Sequence, residues 1–212
     1  MYISVEDYYD MYLKDKNEET VAMELEKMRM SIDDLKRKIE SPLYSYGSGM
    51  PISEGSVVAI YRDYFNRAAD HLAKMRGIAS VLTEEEKRAL IIDSMLPSLS
   101  ALTLTVGSYL QYKYTLSVTD TSAFVTFNSL DGRSERRELN RDAVLAELAE
   151  LHLGEWRDLY TPEQYGCTLN DPDKWQLRIE YKNGSAPYFS DGIGIYPYNF
   201  NVLCDILGVD VI

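Results

Sequence analysis

The chain has 212 residues, 34 acidic and 22 basic, for a formal net charge of −12. A field of that sign repels phosphate backbones and anionic membrane surfaces, which sets aside general nucleic-acid binding and membrane association. Hydrophobic residues make up 45%, and a chain of this size buries roughly 70% of the surface its unfolded form exposes, so it needs neither disulfides nor a metal to fold.

Ser4 and Asp7 predict an N-terminal cap for a short helix over residues 5–13, broken by Asp15-Lys16-Asn17. A longer helix follows over residues 18–40. Glu18 and Glu19 suit its N-terminal dipole end, Lys36, Arg37 and Lys38 suit its C-terminal end, and Pro42 stops it. Val21, Leu25, Met28, Ile32, Leu35 and Ile39 repeat at alternating steps of four and three, the a/d seam of a coiled coil. Such a seam packs on its own domain, on a partner or on a second copy, and so short a coil is marginal alone.

Residues 44–51 read as a linker; they lack the Lys-Ser/Thr ending of a phosphate loop. Ser53 or Ser56 then caps a helix that runs to Arg76 and closes at Gly77, with Val57, Tyr61, Tyr64, Phe65, Ala68, Leu72 and Met75 on one face. Thr83-Glu84-Glu85-Glu86 matches a capping box, and Pro97 ends the helix that follows. The period then changes from 3.6 to 2. Leu102, Leu104, Val106, Leu110, Tyr112, Tyr114, Leu116 and Val118 alternate, interrupted at Gly107-Ser108 by a bulge, bend or strand break. Asp120-Thr121-Ser122 and Asp131-Gly132 are turn signals. They bracket a strand around residues 124–127 and lead into a polar edge strand over 133–139. Asn140 caps a helix carrying Leu145, Leu148 and Leu151, ended by Gly154, and Trp156 and Tyr160 cover the next connection.

Trp175-Gln176-Leu177-Arg178-Ile179-Glu180-Tyr181 alternates strictly, Asn183-Gly184 turns the chain, and a second short strand reaches Asp191-Gly192-Ile193-Gly194. Tyr196-Pro197-Tyr198-Asn199 introduces an apolar helix over 200–207, with Asn199 suited to cap it. Runs of helices and strands, rather than strict alternation, predict an α+β fold: N-terminal helices, then an antiparallel sheet of about four or five strands packed by two helices. The expected segments are 1–45, helical and coiled-coil-like; 52–99, helical; and 100–212, the α+β domain.

The pattern Trp-x-Leu-x-Ile-x-Tyr, Asn-Gly, Gly-x-x-x-Tyr-Pro-x-Asn-Phe resembles a C-terminal α+β module of gut Firmicutes and Bacteroidetes proteins. The likeness is loose over residues 100–212 and closer over 174–207. It implies a bacterial protein and a strand, hairpin and helix in that order. It carries no activity and no site residue to this chain.

The residues themselves offer little chemistry. His71 and His152 sit among apolar neighbours in expected helices, without a nucleophile elbow or metal-ligand spacing. Asp171-Pro172-Asp173 reads as a turn before the Trp175 strand, and Gly192-x-Gly194 lacks the third glycine of a dinucleotide site. Arg133, Arg136, Arg137 and Arg141, with Arg157 nearby, interleave with Glu135, Glu138 and Asp142, as on a solvated edge strand guarded by charge; the alternative is a phosphate-binding patch, without the interleaved aromatic residues of a stacking platform. Cys167 and Cys204 are far apart with no CxxC spacing, which fits a reducing compartment. The start has neither the basic nor the apolar region of a signal peptide, and no apolar run approaches the ~20 residues that span a bilayer. The expectation is a cytoplasmic protein. Tyrosine is abundant, 17 residues against 5 Phe and 2 Trp, and suits half-buried sheet faces and contact surfaces.

The functional reading leans away from catalysis, with no cofactor and no metal. It expects a protein-binding or assembly module that meets a protein partner, or itself, through Val21, Leu25, Met28, Ile32, Leu35 and Ile39. Two rivals are an acidic inhibitor or nucleic-acid mimic from a mobile element, and an enzyme with a dispersed carboxylate/tyrosine site.

Overall fold

The structure is a computed structural model describing residues 2–44 and 54–209. The expected linker and the Ser53 cap fall largely outside the described residues. Chain contacts divide the protein into Met1–Glu84 and Glu85–Ile212.

The first unit holds α1 (Val5–Tyr12), α2 (Glu18–Glu40) and α3 (Glu54–Arg76). Ser4 Oγ accepts the Asp7 amide at 3.0 Å, as its sequence position predicts, and Asn17 Oδ1 accepts the Thr20 amide at 2.9 Å. These side chains satisfy amides that lack an intrahelical partner. Arg76 at the end of α3 pairs with Glu18 at the start of α2, 2.8 Å apart, so the two helices run antiparallel. Val21, Leu25 and Met28 of α2 are buried with Tyr64, Phe65, Ala68, Ala69 and Leu72 of α3. Tyr8 closes this core from α1. Its ring stacks on Tyr64 at 4.2 Å, and its hydroxyl reaches Glu24. The Tyr64 hydroxyl also accepts the Ile3 amide and donates to the Ile3 carbonyl, which ties the leading segment to α3.

α4 (Glu84–Ser94) starts at the boundary and belongs to the second unit in all but its first residue, and a 3-10 turn follows at Leu96–Ser98. Four strands follow: β1 (Leu99–Gly107), β2 (Tyr112–Val118), β3 (Ala123–Ser129) and β4 (Ser134–Leu139). After α5 (Arg141–Glu150) come β5 (Leu159–Tyr160), β6 (Lys174–Tyr181), β7 (Tyr188–Ile193) and α6 (Phe200–Leu207). The α+β class holds, but the sheet exceeds the expected four or five strands. Seven strands are ordered β4-β3-β2-β1-β6-β7-β5. The pairing is antiparallel except β5 with β7, which is parallel. The two-residue β5 is too short to show a period, which is why alternation misses it. The long alternating run splits at Gly107, whose φ of 108° turns the chain into the β1–β2 connection.

The core gathers on one sheet face. Leu102, Leu104, Val106, Leu116, Leu177 and Ile179 lie there, covered by Val144 and Leu148 of α5 and Phe200, Leu203 and Leu207 of α6. The opposite face carries Thr103, Thr105, Thr115, Thr126 and Arg178 at the alternate positions. Asn140 caps α5 as expected, accepting the Ala143 amide. Asn199 does not cap α6 through its side chain. Its Oδ1 accepts Trp156 Nε1–H at 2.9 Å and its Nδ2 donates to the Leu151 carbonyl at 2.7 Å. Two interior polar groups outcompete one helix-end amide because an unpaired buried donor costs more than a solvated one.

Trp175 is fully buried among Trp156, Tyr160 and Phe200. Its indole N–H donates to the Ile195 carbonyl at 2.7 Å. It lies over Gly192, where any Cβ would sit inside van der Waals contact with the indole nitrogen. Gly192→Ala should therefore destabilise this unit by about 1–3 kcal/mol, the range for overpacking a filled core. Urea unfolding followed by tryptophan fluorescence checks this; an unchanged midpoint contradicts it.

Candidate functional site

The described residues form a cleft of about 710 Å³ on the helix-bearing face of the sheet. Its floor is aromatic. Tyr112 and Tyr114 sit at alternate positions of β2, opposite Ser129 and Phe127 of β3. Phe127 lies between them, with ring centroids 6.3 Å from Tyr112 and 4.9 Å from Tyr114. Arg133, Glu135, Arg136 and Arg137 form the β4 side, and Leu207, Gly208 and Val209 the opposite side.

Arg137 braces the cleft. Its Nη2 donates to the Ile206 carbonyl at 2.9 Å, where the end of α6 leaves carbonyls without intrahelical partners. Gly208 completes that helix end in the left-handed conformation (φ 70°), with its amide on Asp205 O and the Val209 amide on Cys204 O. Asp173 closes one end, held by a 2.6 Å hydrogen bond from the Ser108 hydroxyl. Arg133 leans on Asp131 at 3.0 Å, an exposed pair of small energetic weight. Tyr109 and Leu130 are exposed at 85% and 78%, in the two turns at this end of the sheet, and the Leu130 amide bonds Gln111 O. A ligand here meets stacked rings below, guanidinium and carboxylate groups beside it, and two apolar side chains at the edge.

Burial acts on two groups near the cleft. It pushes the Tyr196 hydroxyl up to about 12, helped by Asp173, and the Cys204 thiol up to about 12, helped by Asp205. Both stay protonated at neutral pH, and Cys204 is the small buried hydrophobe its position in an apolar helix suggests. His71 packs edge-on against Tyr9 at 5.2 Å, a ring contact within the helical unit. His152 lies beyond α5 rather than within it. It takes a left-handed conformation (φ 49°) before a 3-10 turn, with Nδ1 3.4 Å from Asp93. Leu151 already ends α5, and Gly154 has a different task. Its amide donates to Asp93 Oδ1, and a Cβ there would strike the Ala89 carbonyl. Among the described residues no group of three or more His, Cys, Asp or Glu is placed to hold a metal ion, and no helix is long and apolar enough to cross a membrane.

The six seam residues belong to the first unit, and none of them lines this cleft. Val21, Leu25 and Met28 are buried against α3, and Ile32 packs on the same core, half-buried. Leu35 and Ile39 are half-buried. The cleft residues carried a partial signal: Tyr112 and Tyr114 continue the Leu116 and Val118 face with rings in place of aliphatic groups. Their meeting with β4 and the end of α6 follows only from strand register.

No protein-family profile, no curated protein and no solved structure matches the chain.

Because Leu25 fills the α2–α3 core, Leu25→Ala should lower the stability of the helical unit by about 2–5 kcal/mol. Thermal unfolding followed by helical circular dichroism measures this. A fold unmoved by the change would show that the seam does not hold α2 to α3.

Proposed function

We propose that the chain is a protein-binding module whose recognition surface is the cleft between β2, β3, β4 and the end of α6. The observation that supports it is the floor of stacked rings, Tyr112, Phe127 and Tyr114, left half-buried beneath a volume of about 710 Å³. Rings of this kind offer large contact area at low conformational cost, and buried aromatic anchors dominate binding energetics. The fitting partner is an extended segment that lays an aromatic or branched side chain on the rings. Its polar groups beside the anchor meet Arg133 and Glu135 on the β4 wall. Association through the Val21–Ile39 seam remains compatible with this reading only through its outer end, Leu35 and Ile39, since the inner residues pack on α3.

A second reading has its own observation. Glu135 and Asp173 line the same cleft as Tyr112 and Tyr114, and carboxylates and phenols that share a cleft suit acid–base chemistry on a small substrate. Turnover in a metabolite screen, abolished by Glu135→Gln or Asp173→Asn, would favour it.

Selection of a displayed random-peptide library on the full chain tests the binding reading. Enriched peptides should share an apolar anchor. Phe127→Ala should weaken them at least about tenfold, the effect of one lost anchor. Arg133→Glu, a change at an exposed position, should shift the charge preference beside the anchor without unfolding the chain. No enrichment, or binders indifferent to both changes in folded protein, would overturn it.

A further inference from the structure

We propose that two copies of the chain join edge to edge through β4, making one continuous sheet across a two-fold axis at Arg137. β4 ends the sheet order, and Ser134 to Glu138 are all exposed. Its hairpin fixes which groups face outward. The Ser129 amide donates to the Arg133 carbonyl at 3.0 Å, and the β3–β4 register runs without a shift from Asn128 and Ser134 to Ala123 and Leu139. Backbone groups alternate along an antiparallel ladder. Those of Arg133, Glu135 and Arg137 therefore turn toward β3, and those of Ser134, Arg136 and Glu138 point away from the sheet, ready for another strand.

Charge selects the occupant. The chain as a whole repels a copy of itself at −12. Within residues 131–142 the balance is zero: Arg133, Arg136, Arg137 and Arg141 against Asp131, Glu135, Glu138 and Asp142. Arg136 and Glu138 lie two residues apart on one face of the strand, so an antiparallel copy related by an axis at the residue between them sets opposite charges against each other. With the axis at Arg137, Arg136 of each copy faces Glu138 of the other, and these are residues whose backbone groups point outward. The two Arg137 guanidinium groups are each drawn to the Ile206 carbonyl of their own α6, whose negative end offsets their charge. The neighbouring register, centred on Arg136, also forms two opposite-charge pairs, Glu135 with Arg137, but it opposes two Arg136 guanidinium groups that rest on their own Phe124 rings, 3.6 Å from the centroid, with no carbonyl to offset them. The first register is the one the charges favour. A charged edge deters most strands, and this pattern admits its own. The axis runs through the sheet, so both clefts open on the same side and the pair presents two adjacent binding sites.

A single strand edge is less than a standard interface, so the expected species is a weak dimer. Sedimentation equilibrium of the full chain, over a concentration series at low and high salt, should show a monomer–dimer equilibrium that salt weakens. Arg136→Glu and Glu138→Arg should each raise the dimer Kd about tenfold or more, since each turns two cross-strand attractions into repulsions. The double variant should recover most of the loss. Both positions are exposed, and circular dichroism confirms that the variants fold. A chain monomeric at every concentration overturns the proposal, and so does a dimer that neither single variant weakens or that the double variant fails to restore. The two readings fail separately, because the peptide anchor is Phe127 on β3 and Glu138, whose variant tests the dimer, does not line the cleft.

Discussion

The indole of Trp175 is the group around which the C-terminal unit is arranged. Its ring touches Trp156, Tyr160 and Phe200, which come from the segment after α5, from β5 and from the start of α6. A buried indole must also find an acceptor for its N–H, and Trp175 takes the Ile195 carbonyl just beyond β7. That bond sets the path between β7 and α6. It also forbids a side chain at position 192, because the ring passes over the backbone there. Trp156 repeats the logic one layer out: its N–H takes Asn199, and Asn199 then takes the Leu151 carbonyl at the end of α5. Two indoles thus place both helices on one sheet face. The position of the end of α6, one wall of the cleft, is a consequence of that anchoring.

The helical unit follows a different economy. Its interior holds leucine, valine and methionine, but its closing pieces are tyrosines. Tyr8 and Tyr64 stack face to face and still present hydroxyls to Glu24 and to the Ile3 backbone. Burial, reinforced by Glu24, pushes the Tyr8 hydroxyl well above its usual range, so it remains a donor at any physiological pH. Arg67 lies over the Tyr9 ring at 4.0 Å, and His71 meets the same ring edge-on. Much of the tyrosine excess in this half is thereby explained as packing that also satisfies polar groups.

Local signals in the sequence were legible because they act over three or four residues. Ser4 and Asn140 cap where their spacing says they should, and Gly77 follows the last residue of α3 with a positive φ. Gly107 breaks the long alternation, and Asp131-Gly132 forms a turn with the Gly132 amide on Ser129 O. What could not be read are features set by distant partners. The cap value of Asn199 is a local fact, and Trp156, 43 residues earlier, overrides it. The seam of α2 looks alike whether it meets α3 or another chain, since apolar spacing records only that a face is buried. The cleft depends on the register of β2, β3 and β4 and on Arg137 reaching the Ile206 carbonyl, 69 residues away.

The mixed charge of β4 illustrates why such patterns need geometry before they acquire meaning. In sequence, alternating arginine and glutamate describes any solvated edge, and the usual role of charge there is to keep other strands away. The structure adds the direction of each backbone group and the face of each side chain. Arg136 and Glu138 then share a face and both offer outward amides and carbonyls, while Arg137 lies on the other face, tethered to α6. A foreign strand with an arbitrary sequence meets a guanidinium or carboxylate it cannot match. An inverted copy meets the opposite charge at both positions. Exclusion and self-selection therefore arise from the same residues, and the difference between them is symmetry.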